Sequence, residues 1–247
     1  MTLKLEDMSW SEVSEAVKQG KDTVLILLGS IEQHGPHLPL KTDTLIAEEL
    51  GIRTARKLGD ALVAPVIRPG CSRHHMEFEG TVSISPEGLK SIVKDYCHAY
   101  EKHGFKTIVL IPYHGGNFEP IQEIEPEIRY ELKDSELILV ADLEKSMMLM
   151  NESLKKSNLE LVEPLIHAGA TETSVVMAID DTLVKMDRVE RGYMDDIPLN
   201  RLFLKGLKSF TDNGVLGDPS KADKEIGESI LESLSDWYVE YIRRKRS

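Results

Sequence analysis

Only two cysteines, Cys71 and Cys97, occur among 247 residues. Two thiols cannot build a disulfide scaffold or a thiolate zinc cluster, so a reducing compartment is the simpler setting. Basic charge is also in deficit: 30 Lys and Arg against 42 Asp and Glu leave a net charge of −12. That balance disfavours nonspecific attraction to nucleic acid, while a local positive pocket for a phosphorylated small molecule stays open. No apolar stretch reaches the length of a membrane span, and the opening MTLKLEDMSW lacks the apolar core of a signal peptide. The expectation is a cytoplasmic protein with no nucleic-acid or membrane partner.

No internal repeat, low-complexity tract or linker divides the chain, and its length suits one domain over residues 1–247. Four apolar runs read as buried strands: TVLILLG (23–29), ALVAPVI (61–67), TIVLIPY (107–113) and ELILVAD (136–142). Helical patterns over 44–59, 86–103 and 118–132 alternate with them. The predicted fold is therefore α/β, a three-layer α/β/α sandwich with a mostly parallel central sheet. Ser85-Pro86 and Asp218-Pro219 read as helix starts. The second opens an amphipathic segment to about residue 243, with Ile226, Ile230, Leu234, Trp237 and Tyr241 at helical spacing. Residues 144–165, rich in Met, Lys, Asn and Glu, are expected to form an irregular insertion or flap.

In open parallel sheets ligands bind beyond the carboxyl ends of the strands. The first strand runs into GSIEQHGPHLPLKTD, the second into RPGCSRHHMEFEGT and the third into YHGGN, so three loops carry imidazoles to one edge. Glu32, His34, Asp43 and His114 offer carboxylate and imidazole donors without thiolates, a set suited to Zn²⁺, Mn²⁺ or Fe²⁺. Glu32 and His34 are two apart, so in an extended segment they share a face, while Gly35, Pro36 and Pro39 bend the chain back toward Asp43. Gly115 and Gly116 let backbone or ligand approach His114. In HAGATETS (167–174), Thr171 is expected to cap a helix, placing Glu172 in its first turn. Glu172 is then a further metal donor and, with His167, a candidate for proton transfer; His75, Asn117 and Arg73 are candidates for substrate binding. His98 and His103 fall on the helix over 86–103 and are read as structural.

GSIEQHGPHLPLKTD, HHMEFEGT, YHGGN and HAGATETS, in that order, resemble the creatininase family of metal-dependent amidohydrolases. The resemblance runs from about residue 22 to the GVLGDPSKADKEIG stretch at 214–227. It implies a three-layer α/β fold, a divalent metal centre with two ions per subunit, and assembly into a homo-oligomer, with a hexamer expected. It also implies that Glu32, His34, Asp43 and His114 are metal ligands, with Asp43 bridging, and that Glu172 completes the second site. Family members with HGGN lack the glutamate that creatininase itself places where this chain has Gly116. Glu79 and Pro112 depart from the residues common in the family's second and third motifs.

The reaction implied is metal-assisted hydrolysis of a C–N amide bond other than an ordinary peptide bond, on a small-molecule substrate. Creatinine is disfavoured as that substrate, because creatininase closes tryptophans over its ring and only Trp10 and Trp237 are present. Three substrate classes lie within the family: a formamide on a ribosylated pyrimidine nucleotide of flavin and deazaflavin synthesis, a cyclic amide such as creatinine, and a small peptide precursor. The deformylase reading is preferred here, because Lys41, Arg68 and Arg73 could meet a phosphate near the site. A non-catalytic metal-binding or ligand-binding module is the alternative of another class.

Overall fold

The computed structural model describes residues 2–157, 163 and 165–246. Helix α1 (Trp10–Lys18) leads into β1 (Thr23–Leu28), α2 (Thr42–Leu58), β2 (Ala61–Val63), α3 (Pro86–Lys102), β3 (Thr107–Pro112), α4 (Phe118–Glu131), β4 (Glu136–Leu139) and α5 (Leu143–Lys156). Three more helices follow, α6 (Ala170–Asp180), α7 (Leu199–Lys205) and α8 (Lys224–Lys245). The four strands form one parallel sheet in the order β2-β1-β3-β4.

Alternation within β1 shows how the sheet is covered on both faces. Leu25 and Leu27 join Ile46 and Leu50 of α2, Val175 of α6 and Ile230 of α8 in one apolar cluster. Val24, Ile26 and Leu28 point the other way, onto Leu89 and Val93 of α3 and Ile121 and Ile124 of α4. Successive side chains on a strand leave opposite faces, so an all-apolar run requires helices on both sides. The three-layer α/β expectation holds.

Several local expectations change. The apolar runs overshoot the ladders: Ile67 and Val140 are buried beyond the ends of β2 and β4, because strand ends continue into the core as loops. Ser85 caps α3 as expected, accepting from the Gly88 N–H with Pro86 at the first helical position. Asp218-Pro219 instead opens a single 3-10 turn, and α8 starts at Lys224, where Asp223 accepts from the Glu225 N–H. Much of the expected irregular insertion is regular, since α5 occupies residues 143–156 and Asp142 caps it. The rest of that stretch, at 158–162 and 164, lies outside the described residues.

Candidate metal centre

Between β1 and β3 the strand order reverses direction, and the loops that follow these two strands diverge to leave a crevice. After β1 the chain makes a closed excursion: the Glu32 N–H donates to the Leu40 carbonyl, and Gly35 adopts φ +66° to turn the loop. Thr44 Oγ1 then donates to the Ser30 carbonyl, and the Gly29 backbone lies so close to Thr44 that a Cβ would sit 2.7 Å from its Cα. This contact returns Asp43, in the first turn of α2, to the neighbourhood of Glu32 and His34. His114 arrives from the loop after β3, and Glu172 from the first turn of α6. All five side chains are buried.

Three donor triads result: Glu32, Asp43, His114; His34, Asp43, Glu172; and Glu32, His34, His167. In each, one ligand atom per residue lies within 4.8 Å of the others. Asp43 belongs to the first two: Oδ1 is 3.3 Å from His34 Nε2 and Oδ2 is 3.2 Å from His114 Nδ1. Ser30 Oγ donates to Oδ2 at 2.6 Å and holds the carboxylate in place. His34 Nδ1 lies 3.1 Å from the Glu32 carbonyl, which can only accept, so that nitrogen carries a proton. Its Nε2, like Glu32 Oε2, is buried without a hydrogen-bond partner among the described residues. Buried polar atoms are rarely left unsatisfied, and a cation among N and O donors accounts for both.

The charges point the same way. Burial lowers the His34 pKa, but Asp43, Glu172 and Glu32 outweigh it and push it up to about 10. Burial likewise works against a charged His114, yet Glu32 and Asp43 hold it well above the usual imidazole range. Burial favours a protonated Asp43, and the two imidazoles more than reverse this. Glu172 is pushed up to about 7 by burial, with His34 opposing and Asp43 adding to the rise. The carboxylates thus recruit protons onto two imidazoles. A divalent cation supplies the same positive charge while leaving both imidazoles neutral and ligating.

Across the crevice stands a second imidazole group, organised by a residue the sequence reading overlooked. Gln33 Nε2 lies 3.0 Å from His75 Nδ1, 2.8 Å from His167 Nε2 and 3.1 Å from the Gly214 carbonyl. The amide nitrogen cannot accept and has two hydrogens, one for the Gly214 carbonyl and one shared between the ring nitrogens, so both of those nitrogens present lone pairs. The protons then sit on His75 Nε2 and His167 Nδ1, which face Glu32 Oε1 at 3.5 and 3.9 Å. His74 lies beside them with its ring 4.6 Å from Phe203. Tyr113 borders the same cavity, its hydroxyl buried without a partner among the described residues.

Three expectations require correction. Asn117 does not face the cavity: Oδ1 accepts from the Cys71 N–H and Nδ2 donates to the Gly29 carbonyl, so both ends tie main chain. Arg73 is exposed and lines a neighbouring groove, while Lys41 and Arg68 are exposed and absent from the cavity lining. Thr171 is not the helix cap; α6 begins after Gly169, and the Thr171 hydroxyl donates to Glu163. Of the two glycines after His114, Gly116 is the constrained one, since a Cβ there would lie 2.1 Å from the Cys71 carbonyl oxygen. His98 bonds Glu131 and His103 ends α3, both outside the site.

The profile of the creatininase family, described as creatinine amidohydrolase, matches residues 6–242. The chain belongs to the creatininase family. A mycofactocin precursor peptide peptidase of Mycolicibacterium smegmatis is 33% identical over 90% of this chain and 84% of its own length. Creatinine amidohydrolase of Pseudomonas putida is 26% identical over 97% and 95%. A solved manganese creatininase superposes with a TM-score of 0.82 at 26% identity, covering 99% of both chains. The 2-amino-5-formylamino-6-ribosylaminopyrimidin-4(3H)-one 5'-monophosphate deformylase of Methanothermus fervidus stands further off, 25% identical over 86% and 82%. Membership makes this chain a creatininase-like amidohydrolase, and the family's metal-bearing structures agree with a divalent-metal site among the clustered donors.

Proposed function

We propose that the chain is a single-domain, metal-dependent hydrolase that cleaves the C–N bond of a small, largely apolar amide, with amides derived from short peptides as the favoured class. The observation that carries this reading is the cavity's two-sided chemistry. One side is Glu32, Asp43, His75, His114, His167 and Glu172; the other is Leu143, Met147, Met150, Ile166, Phe203 and their neighbours. No Lys or Arg lines it among the described residues. A phosphate-bearing pyrimidine would need such a cation or a cluster of free N–H groups. The formamide preference therefore gives way to an apolar amide, in line with the precursor-peptide peptidase among its relatives.

In this reading Glu32, Asp43 and His114 would hold one divalent ion and His34, Asp43 and Glu172 a second, with Mn²⁺, Zn²⁺ and Fe²⁺ the candidates. Such ions would supply carbonyl polarisation and an acidified water. The protein's own groups do the rest. The apolar wall of α5 and α7 packs the substrate and excludes water, and His167, held neutral by burial, takes up the proton that the attacking water releases and passes it to the leaving nitrogen. His75, pinned by the same glutamine, orients the substrate carbonyl side. A homo-oligomer is part of the proposal; the exposed apolar side chains Phe203 and Leu204 of α7 offer a contact face. No helix among the described residues is long and apolar enough to cross a membrane.

The test is metal analysis of protein purified without chelator, then amine release from short apolar peptides and formylated pyrimidine nucleotides and creatine formation from creatinine, with and without added Mn²⁺, Zn²⁺ or Fe²⁺. Metal-dependent cleavage confined to the apolar peptides is the expected result. Turnover of the nucleotide alone would overturn the substrate class, and metal content near zero would overturn the hydrolase mechanism.

A further inference from the structure

Glu163 is fully buried and plays no part in the chemistry above. Its carboxylate receives four donors. Oε1 accepts from the Ala170 N–H at 2.6 Å and the Asp218 N–H at 3.3 Å; Oε2 accepts from the Thr171 N–H at 3.1 Å and Thr171 Oγ1 at 2.6 Å. Its own main chain is clamped by Asn151 of α5, whose Oδ1 accepts from the Glu163 N–H and whose Nδ2 donates to the Glu163 carbonyl. Helix α6 has no capping side chain at Gly169, so the remote carboxylate takes over the cap. The fit is close on two sides: a Cβ on Gly169 or Gly217 would lie 2.0 or 2.2 Å from Oε1.

What this carboxylate fastens is the third wall of the site. The loop before α6 holds Ala168 at φ +55°, an unusual conformation for a side-chain-bearing residue, and the Ala168 N–H donates to Glu172 Oε2 at 2.7 Å. The 214–218 strap pairs with the same loop through His167 and Leu216. Helix α5, at the other end of the network, lines the cavity with Met147 and Met150.

We propose that Glu163 is a positioning residue: by tying the α6 N-terminus to α5 and the 217–218 strap, it fixes where Glu172 and His167 stand against His34 and Asp43. The inference rests on the reading of His34, Asp43 and Glu172 as metal donors. In Glu163→Gln the side-chain amide turns an N–H toward a donor, so at least one of the four bonds is lost while volume is kept.

The experiment titrates the full-length, metal-stripped protein with Co²⁺ and follows the visible absorption bands together with bound metal per chain. For the wild type, two ions are expected. For Glu163→Gln, the first ion is expected to bind as in the wild type and the second about 10-fold to 100-fold more weakly, with altered bands. Val93→Ala, a core deletion on the opposite face of the sheet, is expected to lower thermal stability without moving either readout. Wild-type isotherm and spectrum in Glu163→Gln would overturn the proposal, as would the same loss in Val93→Ala. Should Glu163→Gln fail to fold, Thr171→Val removes one of the four bonds and decides the question by the same readouts, with a smaller shift in the same direction. If Glu172→Ala leaves the wild-type isotherm unchanged, the donor assignment fails first, and this inference with it.

Discussion

His34 and His167 place their ring centres 4.5 Å apart, yet they sit on opposite sides of neutrality. In the metal-free protein His34, with His114, is held positive by buried carboxylates that outweigh the cost of burial. His167 and His75 are pushed well below the usual imidazole range, by burial and by the positive charges of their neighbours. The two groups share a residue type, a crevice and near-complete burial. They differ in how many carboxylates they face, since His34 meets Asp43 and Glu172 while His167, among the described residues, meets only Glu32 Oε1, at 3.9 Å. Carboxylate count therefore sorts the imidazoles by charge, and in the proposed function the first pair would be cation ligands and the second neutral proton carriers.

The sharpest break in this comparison comes from removing one member of each group. His34→Ala takes a donor from two of the three triads, so turnover is expected to fall about 10³-fold or more, together with bound metal. His167→Ala removes the proposed proton carrier and leaves both triads that share Asp43 intact, so kcat is expected to fall about 10²-fold with metal content unchanged. Elemental analysis beside steady-state kinetics separates the two. Equal metal loss in both variants would erase the distinction between the groups.

A smaller effect is expected at Gln33, which fixes the tautomers of His75 and His167 without touching the two triads that share Asp43. Gln33→Leu keeps the volume and removes the donor, so both rings lose the hydrogen bond that sets their orientation. The expected loss is about 10-fold in kcat, by analogy with other groups that orient a working imidazole, at constant metal content. A variant as active as the wild type would show that the neutral histidines are held by packing alone.

The difference between these groups also explains what could be read from the chain. Glu32, His34, Asp43 and His114 were legible because each follows a strand, and strand ends converge wherever the sheet is parallel. Glu172 was legible through its helix start, although the cap was attributed to Thr171. The true cap, Glu163, lies seven residues before Ala170, and no spacing rule links a remote carboxylate to a helix end. Gln33 was hidden by the alternation that exposed its neighbours: in an extended strand it would point away from Glu32 and His34. Residues 32–40 form a closed loop rather than a strand, so all three side chains reach the interior. Asn117 and Arg73 failed for the opposite reason, since a polar residue beside a site can as well serve the main chain or the surface. The fold was read more fully, because four apolar runs with helices between them admit few arrangements.

His37 offers the subtlest test, because it belongs to neither group. Its Nε2 shares a 2.9 Å hydrogen bond with Thr173 Oγ1 of α6, joining the loop after β1 to the helix that carries Glu172. It offers no atom to any of the three triads, so His37→Ala is expected to lose less metal than His34→Ala. Burial, and after it the charge of His34, push the His37 pKa down from 6.5 to about 4. Between those values the unfolded chain binds a proton that the folded chain does not. Stability therefore rises with pH: this contribution is whole above 6.5 and is lost as the pH falls toward 4. Urea unfolding of the metal-free protein at about pH 7 and about pH 5 measures it, the two values bracketing the ordinary imidazole pKa. His37→Gln keeps a partner for Thr173 but has no titrating group, so it is expected to lose less stability between the two conditions than the wild type. An identical loss in both proteins would mean that His37 titrates as an ordinary histidine, and that the positive charge of His34 does not reach it through the packed loop.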